Sequence, residues 1–178
     1  PLPLALDVSR NDQLSPEGLC LLLEAMSRSS NPDLTIMLWN FSIRAHEAGL
    51  FRRLIEQRSL ASMEEWTEEH HAILTRGLQL CSFVEYCDLD GLPLGLEETL
   101  EALDAATKCP NSRLVVKIWG IELTVGMCYA VKRLLEGKLS GPEINDDNIE
   151  LVTEVMQATE LLERVALDGH QLTGEGLP

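Results

Sequence analysis

The apolar residues of this chain recur mostly at intervals of three and four residues, a spacing typical of amphipathic helices. Ile73, Leu74, Leu78 and Cys81, for example, form one such stripe. The pattern predicts seven helices, over 16–29, 31–48, 50–57, 62–87, 97–108, 113–136 and 147–167. We therefore expect an all-α fold, either a helical bundle or a short α-solenoid of six to seven helices.

Local capping signals support several of these helix starts. Ser15 precedes Pro16, so a capping hydroxyl is followed by a residue that needs no amide donor in the first turn. Asn31 and the proline after it repeat this arrangement. Ser62 and Glu65 have the spacing of a capping box, in which each side chain satisfies an otherwise unpaired amide. We expect helices to begin at these points.

The stretch 113–136 is ambiguous, because two runs within 114–121 contain β-branched residues that are common in strands. No turn signal interrupts the following two dozen residues, and apolar residues continue at helical spacing. We predict one buried helix here, with Trp119 in the core and with Gly120 and Gly126 allowing close packing. Trp39 is likewise expected in the core.

Several segments recur in the same order, which suggests an internal duplication. Leu23–Met26 resembles Leu100–Leu103, and each is followed by a tryptophan and then by a basic pair. The fold would then consist of two three-helix halves, 15–88 and 95–167, with a turn about three residues longer in the second half. The helix, turn and helix of each half resemble the hairpin of HEAT or armadillo solenoids. The alternative is that leucine-rich amphipathic helices resemble one another by composition alone.

The predicted helices form a single domain over 15–167. Segments 1–14 and 168–178 are rich in proline, glycine and polar residues and lack hydrophobic periodicity, so we expect both to be flexible.

The chain is strongly acidic, with 14 basic and 29 acidic residues and a net charge of −15. Binding to a polyanion normally requires a basic surface, so we expect neither nucleic acid nor an anionic membrane as a partner. The charge favours solubility and would steer the protein towards basic partners.

Cysteine content indicates a reducing compartment, so we expect a cytoplasmic protein. The five cysteines are odd in number, match no disulfide framework and follow no signal peptide. No apolar run reaches the roughly 18–20 residues of a membrane span. We expect at least four of the five cysteines to be core residues.

One loop resembles a calcium-binding EF-hand in its spacing, with Asp88, Asp90 and Glu97 at the acidic positions. Tyr86 occupies the first ligand position, where a carboxylate is usual, and Pro93 interrupts the loop. The alternative is a simple connection between helices, and the sequence leaves cation binding by this loop open.

Two further acidic motifs lack the partners that a metal site needs. Glu68 and His71 have the spacing found in di-iron bundles, but no second such motif accompanies them. Asp146, Asp147 and Glu150 resemble the acidic motif of helical terpenoid synthases, although capping of a helix start explains them equally. We predict no metal site and no cofactor.

The residues we select for partner binding are an aromatic side chain and two basic pairs. Trp66 lies in a polar first turn, where it is either an exposed partner anchor or a cap over the preceding turn. The basic pairs would bind an acidic motif or form internal salt bridges; they are Arg52, Arg53, Lys132 and Arg133.

No Walker loop, dinucleotide fingerprint, nucleophile elbow or CxxC pair occurs in the sequence. We therefore expect a non-enzymatic protein–protein interaction module, acting as an adaptor, regulator or accessory subunit. Its partner would be another protein or a second copy in a homodimer. The alternative is a small helical enzyme or ligand-binding regulator with a pocket between the two halves.

Overall fold

The computed structural model describes residues 4–11, 13–38, 41–61, 63, 65–139, 143, 145 and 148–161. In this part of the chain 48% of the residues are helical and 14% lie in strands, which form two three-stranded sheets. The predicted all-α fold is therefore wrong, both as a helical bundle and as an α-solenoid. Among the described helices, none is both long and apolar enough to cross a bilayer.

The first sheet combines one parallel and one antiparallel pairing. Strand β1 (Ala5–Asp7) is followed by helix α1 (Pro16–Ser27), and the chain then returns to β2 (Thr35–Met37), which pairs parallel with β1. Strand β3 (Ser42–Arg44) pairs antiparallel with β2. A 3-10 turn then leads into α2 (Ala48–Ile55) and α3 (Glu68–Leu80). We call these elements the first unit.

The second unit repeats this order of elements. It comprises β4 (Tyr86–Asp88), α4 (Leu96–Thr107), β5 (Val115–Ile118), β6 (Ile121–Thr124), α5 (Val125–Leu135) and α6 (Ile149–Ala158). Its sheet has the order β4-β5-β6, again parallel and then antiparallel. Each unit contains three α-helices, but the prediction that the halves consist of helices alone is wrong, because each unit also contains a sheet.

From the first helix of each unit (α1 or α4) to the end of the second (α2 or α5), equivalent residues of the two units are 80 positions apart. Helix α1 begins at Pro16 and α4 at Leu96, which is 80 residues later. In the hairpins, Ile36 lies opposite Ile43, and Val116 lies opposite Leu123; both differences are again 80.

This offset corrects the match made from the sequence. Leu23 is buried in α1 and its counterpart 80 residues later is Leu103, which is buried in α4. The sequence comparison matched Leu23 with Leu100, about one helical turn too early. The expected turn about three residues longer in the second unit is therefore wrong, and it arose from that misplaced match.

A hairpin replaces most of the predicted helix over 31–48 and the first half of the predicted helix over 113–136, whose second half is confirmed as α5 (Val125–Leu135). Between β5 and β6 the chain turns at Trp119 and Gly120, whose φ angles of 54° and 79° are both positive. A two-residue turn of this kind suits the twist of an antiparallel hairpin, and glycine adopts it without strain. Trp119 is therefore half-buried in a turn and not in a helical core. Neither Gly120 nor Gly126 makes the expected close contact.

The structure agrees with the predicted positions of α1, which has a local capping signal, and of α4, which has no side-chain cap. The predicted helices over 16–29 and 97–108 are confirmed to within two residues. The Ser15 hydroxyl accepts a hydrogen bond from the Gly18 amide at 3.1 Å, with Pro16 in the first turn. The predicted 62–87 helix is too long. Helix α3 begins after Thr67, whose hydroxyl accepts from the His70 amide at 3.2 Å.

The last predicted helix, 147–167, is also too long. Helix α6 ends at Ala158, because Thr159 adopts an extended backbone conformation. Residues 162–167 and the predicted tail 168–178 lie outside the described part of the chain, as do Trp39 and Ser62.

The helices pack in chain order. The principal helix contacts are α1 with α2, α2 with α3, α3 with α4, α4 with α5 and α5 with α6. Buried residues of both units join one hydrophobic cluster. Helix α3 thus connects the units, and α1 and α6 are the terminal helices of the series.

Candidate functional site

The junction between the units is an open cleft between the N-terminal ends of α3 and α4. Its volume is about 540 Å³, and Trp66 stands at its edge. The indole ring is half-buried against the core and lies 5.8 Å from the His70 ring. Carboxylates line much of the rest of the cleft, supplied by Glu68, Glu97, Glu98 and Glu101.

One polar pair crosses this junction. His71 of α3 is only 6% exposed, and its Nε2 lies 3.0 Å from Oε2 of Glu101 on α4. The other ring nitrogen, Nδ1, is buried without a hydrogen-bond partner among the described residues. Glu101 is more than half exposed. The pair therefore fixes how α3 sits on α4, and it leaves one carboxylate face open to the cleft.

A second groove runs beside α4 and is closed on one side by α3. Its volume is about 440 Å³. Thr75 and Gln79 of α3 form one wall, and α4 and α5 form the other with Leu100, Asp104 and Lys132. This groove is the place where a helix of the first unit docks on the second unit.

The equivalent groove beside α1 has a volume of about 370 Å³. Five of its lining residues are the counterparts, 80 residues earlier, of residues lining the α4 groove; they are Cys20, Leu21, Glu24, Arg52 and Glu56. Among the described residues, no helix stands where α3 stands in the second unit. We call this surface the α1 groove.

The chemistry of the two grooves differs mainly at one position. Leu21 takes the place of Glu101 and is 68% exposed, the most exposed of the large apolar side chains in the described residues. Ile55 also lines the α1 groove. An exposed leucine beside a shallow apolar groove is a common feature of surfaces that bind other proteins.

Arg52 and Lys132 occupy equivalent positions and make equivalent ion pairs. Arg52 lies 3.4 Å from Glu24 of α1 and 2.8 Å from Glu56. Lys132 lies 2.5 Å from Asp104 of α4. These contacts hold the second helix of each unit against its first.

The same ion pairs shift the pKa values of their members. The Lys108 and Lys132 ammonium groups hold the pKa of Asp104 below its ordinary value. The hydrogen bond to Asp104 raises the pKa of Lys132, and the hydrogen bond to Glu56 raises that of Arg52.

The other two basic residues bind the chain where α2 and α5 end. Arg53 Nη1 donates to the Ser59 carbonyl at 3.4 Å. Arg133 Nη2 donates to the Lys138 carbonyl at 2.7 Å, and its Nη1 lies 2.6 Å from Glu143. Each of the four predicted basic residues therefore has an intramolecular partner, and partner binding by these residues stays a prediction.

Two carboxylates of the EF-hand-like segment form ion pairs with a lysine. Asp90 lies 3.0 Å and Asp88 3.9 Å from the Lys117 ammonium group. Asp90 also accepts a hydrogen bond from the Gly120 amide at 2.9 Å, next to the hairpin turn. Burial alone would raise the pKa of Asp90, but the hydrogen bonds from Gly120 and Lys117 lower it below its ordinary value. Glu97, the third acidic residue, lies in α4.

The other acidic motifs do not form a ligand set in the described part of the chain. Within it, no group of three or more His, Cys, Asp or Glu side chains is placed to hold a metal ion. Glu68 is exposed, and His71 is paired with Glu101. Asp146 and Asp147 lie outside the described residues.

The five cysteines are free thiols in two different environments. Cys81, Cys87 and Cys128 are buried, whereas Cys20 and Cys109 are half-buried. The expectation that at least four would be core residues is therefore wrong. Burial raises the pKa of Cys81 to about 11 and that of Cys128 to about 12, so both stay protonated at neutral pH.

Sequence reasoning selected Trp66 and the basic pairs but missed the α1 groove and the contact between His71 and Glu101. The missed signal was a comparison of the chain with itself at the 80-residue offset. At that offset Leu21 corresponds to Glu101, so a helix surface that is polar in the second unit is apolar in the first.

Comparison of the chain with models of protein families, with curated proteins and with solved structures finds no match. The chemistry and exposure of its own surfaces are therefore the basis for a functional assignment.

Proposed function

We propose that this protein is a protein-interaction module whose α1 groove receives a helical segment of a protein partner. The observation that carries the proposal is the difference between the two equivalent grooves. The α4 groove is closed on one side by α3, whereas the α1 groove has the same framework and an open side. A helix laid in a groove is a common mode of protein recognition.

The groove supplies both parts of such a recognition surface. Leu21 offers exposed apolar contact area, and the largely buried Ile55 adds to the apolar lining of the groove. Glu24, Arg52 and Glu56 form a charged rim that is already internally paired. An apolar centre within a polar rim is the usual anatomy of a protein interface.

The test compares the protein partners captured by three tagged proteins under native conditions. Leu21→Glu places a carboxylate at the centre of the groove and creates the residue type found at the equivalent position, Glu101, so the helix accommodates it. Tyr129→Glu is the matched control, because Tyr129 is also exposed on a helix but lies outside the groove.

We expect the unmodified protein and the Tyr129→Glu variant to retain a protein partner in stoichiometric amount, and the Leu21→Glu variant to lose it. Equal capture by all three would reject the groove as the site. A strictly monomeric protein that purifies with a bound cofactor and without a protein partner would reject the interaction module itself.

A second candidate is a ligand-binding regulator that uses the cleft between the units. It is favoured by the convergence of His71, Trp66 and several carboxylates there, which would suit a small cationic ligand through ion pairing and cation–π contact. Titration with spermine, followed by tryptophan fluorescence, tests it. Saturable quenching that Trp66→Leu and Glu101→Gln both weaken would support this candidate, and a response without saturation would reject it.

The proposed compartment is reducing, in agreement with a cytoplasmic location. Three of the thiols are enclosed in the core, where burial keeps them protonated. Mass spectrometry of protein alkylated in denaturant at the moment of cell lysis would test this, because the buried thiols react only when the chain is unfolded. Five alkylated cysteines are expected, and a disulfide would contradict the proposal.

A further inference from the structure

We propose that the occupant of the α1 groove is helix α6 of a second copy of this chain, so that copies associate head to tail. The contact would repeat between molecules what the α3–α4 contact does within one molecule. This inference rests on the proposed function, because it names the partner of the same groove.

Helices α6 and α3 correspond to each other as the last helices of the two units. Val152 and Val155 are the buried residues of α6. Leu74 and Gly77 are buried in α3 with the same spacing, 78 residues earlier. Residues of α3 therefore correspond to residues of α6 that lie 78 positions later. This offset is two residues smaller than the offset of 80 that relates the earlier helices of the two units.

A contact outside the helices supports the same register. In the first unit, Arg76 of α3 lies 2.7 Å from Glu47, just before α2. The counterpart of Arg76 at the offset of 78 is Glu154, and the counterpart of Glu47 at the offset of 80 is Met127. Glu154 and Met127 line one cleft. The equivalent positions of the second unit therefore border one cleft, as expected for this register.

This register identifies the side of α6 that has no helix against it in the described structure. In α3, His71 and Thr75 face α4. Their counterparts in α6 are Ile149 and Thr153, both half-buried. One turn further along α6, Met156 is 49% exposed and corresponds to a buried leucine of α3. Helix α6 thus presents a side that is apolar at both ends and that no other described helix covers, with Met156 exposed and Ile149 partly packed on the core.

The α1 groove and the side of α6 both differ from the α3–α4 contact at one equivalent position. The two differences are complementary. His71 faces Glu101 across the α3–α4 contact. At the equivalent positions, Ile149 lies on α6 and Leu21 on α1. A change on one surface alone would oppose a polar group to an apolar one, which is costly when water is excluded. Because both surfaces change, a polar pair in one contact becomes an apolar pair in the other.

The geometry makes the association heterologous. The groove lies on α1 and the docking side on α6, which are the two terminal helices of the series. One contact between two copies leaves a free groove on one copy and a free α6 on the other. Such contacts add further copies instead of stopping at a symmetric dimer, unless the series closes into a ring.

Sedimentation velocity over about 1–500 μM, the range of weak specific association, tests this inference. The unmodified protein should show a sedimentation coefficient that rises with concentration. Leu21→Glu blocks the groove and Met156→Glu blocks the side of α6. Either should weaken association more than about 30-fold, because a carboxylate is then buried in an apolar contact. Tyr129→Glu is the control and should associate like the unmodified protein.

Mixing the two blocked variants gives the sharpest outcome. The Leu21→Glu protein keeps an intact α6, and the Met156→Glu protein keeps an intact groove. We expect an equimolar mixture to form a dimer that contains one copy of each and grows no further. Circular dichroism of each variant checks that it is folded.

A double variant rebuilds the polar pair. Leu21→Glu together with Ile149→His would place the chemistry of Glu101 and His71 at the intermolecular contact. Association lost in Leu21→Glu should return in the double variant and should strengthen as the pH falls below about 6.5, where histidine becomes charged.

If the Met156→Glu protein self-associates on its own, an α1–α1 dimer is indicated and the inference is overturned. Failure of the mixed Leu21→Glu and Met156→Glu proteins to form a dimer would also overturn it. A monomeric unmodified protein at 500 μM would also overturn it. In that case the proposed function would stand if a different protein is still captured in a Leu21-dependent manner, and both would fall if none is.

Discussion

At the scale of single residues, Gly77 sets the distance between α2 and α3. A Cβ atom at this position would lie 2.8 Å from Leu54 Cδ1 and 3.2 Å from Phe51 Cε1. Both neighbours are almost fully buried, so neither side chain has free space to move into. The absence of a side chain at residue 77 therefore allows the two helices to pack closely.

We expect Gly77→Ala to lower the free energy of unfolding by about 1–3 kcal/mol, the usual effect of overpacking a core. Gly126→Ala is the matched control, because nothing lies within 4 Å of a Cβ atom there. It should be neutral or stabilising by up to about 1 kcal/mol, since alanine favours a helix over glycine. Urea denaturation measures both. Equal stability of the two variants would contradict this account of the packing.

Asp104 is a residue whose effect on stability should depend on pH. The lysines beside it lower the pKa of its carboxyl below the ordinary value of 3.8, so the unfolded chain binds the proton more readily than the folded one. The stabilisation is therefore present above pH 3.8 and is lost as the pH falls through the lower, folded-state pKa.

Asp104→Asn should cost about 0.5–1 kcal/mol at neutral pH, because the ion pairs are partly exposed. The difference from the unmodified protein should shrink at acidic pH. Thermal denaturation at several pH values measures this, with Asp33→Asn at an exposed position as the control. A cost that is independent of pH would show that the charge of Asp104 is not its cause.

At the scale of elements, α2 and α5 end in the same way. The residue after the C-cap of each helix has a positive φ angle, 57° at Gln57 and 65° at Gly137. These positions are 80 residues apart. A left-handed residue commonly terminates a helix, and glycine adopts this conformation without the steric cost that other residues carry.

Gly137→Gln should therefore destabilise the protein by about 1–2 kcal/mol. Gln57→Gly should stabilise it by up to about 0.5 kcal/mol, because glycine adopts the positive φ angle without strain. The gain is smaller than the loss at Gly137 because the hydrogen bond from Gln57 to Glu85 at 3.2 Å is lost. Melting temperatures of the two variants should move in opposite directions. Shifts of the same sign would contradict the equivalence of the two helix ends.

At the scale of the whole molecule, the units share one core. Helix α3 packs on α2 in its own unit and on α4 in the next, and buried residues of both units form one hydrophobic cluster. Neither unit can expose its side of this cluster without also exposing the other's. We therefore expect the protein to unfold in one cooperative transition.

Leu103→Ala tests this coupling from the second unit. Leu103 is fully buried in α4, so the cavity should lower the free energy of unfolding by about 2–5 kcal/mol. If the units are coupled, hydrogen exchange of the most protected amides in α1 should accelerate as much as in α4. Unchanged protection in α1 would show that the units unfold independently.

Features that depend on neighbours a few residues away could be predicted from the amino-acid sequence alone. The positions of α1 and α4 follow from an apolar stripe with a three- to four-residue period, and the Ser15 cap follows from a hydroxyl placed before proline. These interactions close within one or two helical turns, so they can be recognised in a short stretch of sequence.

Three features could be recognised only in the tertiary structure. They are the hairpin at 115–124, the contact between His71 and Glu101, and the open side of the α1 groove. Strand β5 satisfies its hydrogen bonds on β4, whose residues lie about 30 positions earlier in the chain. Because β-branched residues at helical spacing suit either state locally, this distant partner determines which one forms. The grooves likewise depend on which helices lie side by side, and that arrangement is set by burial of the shared core.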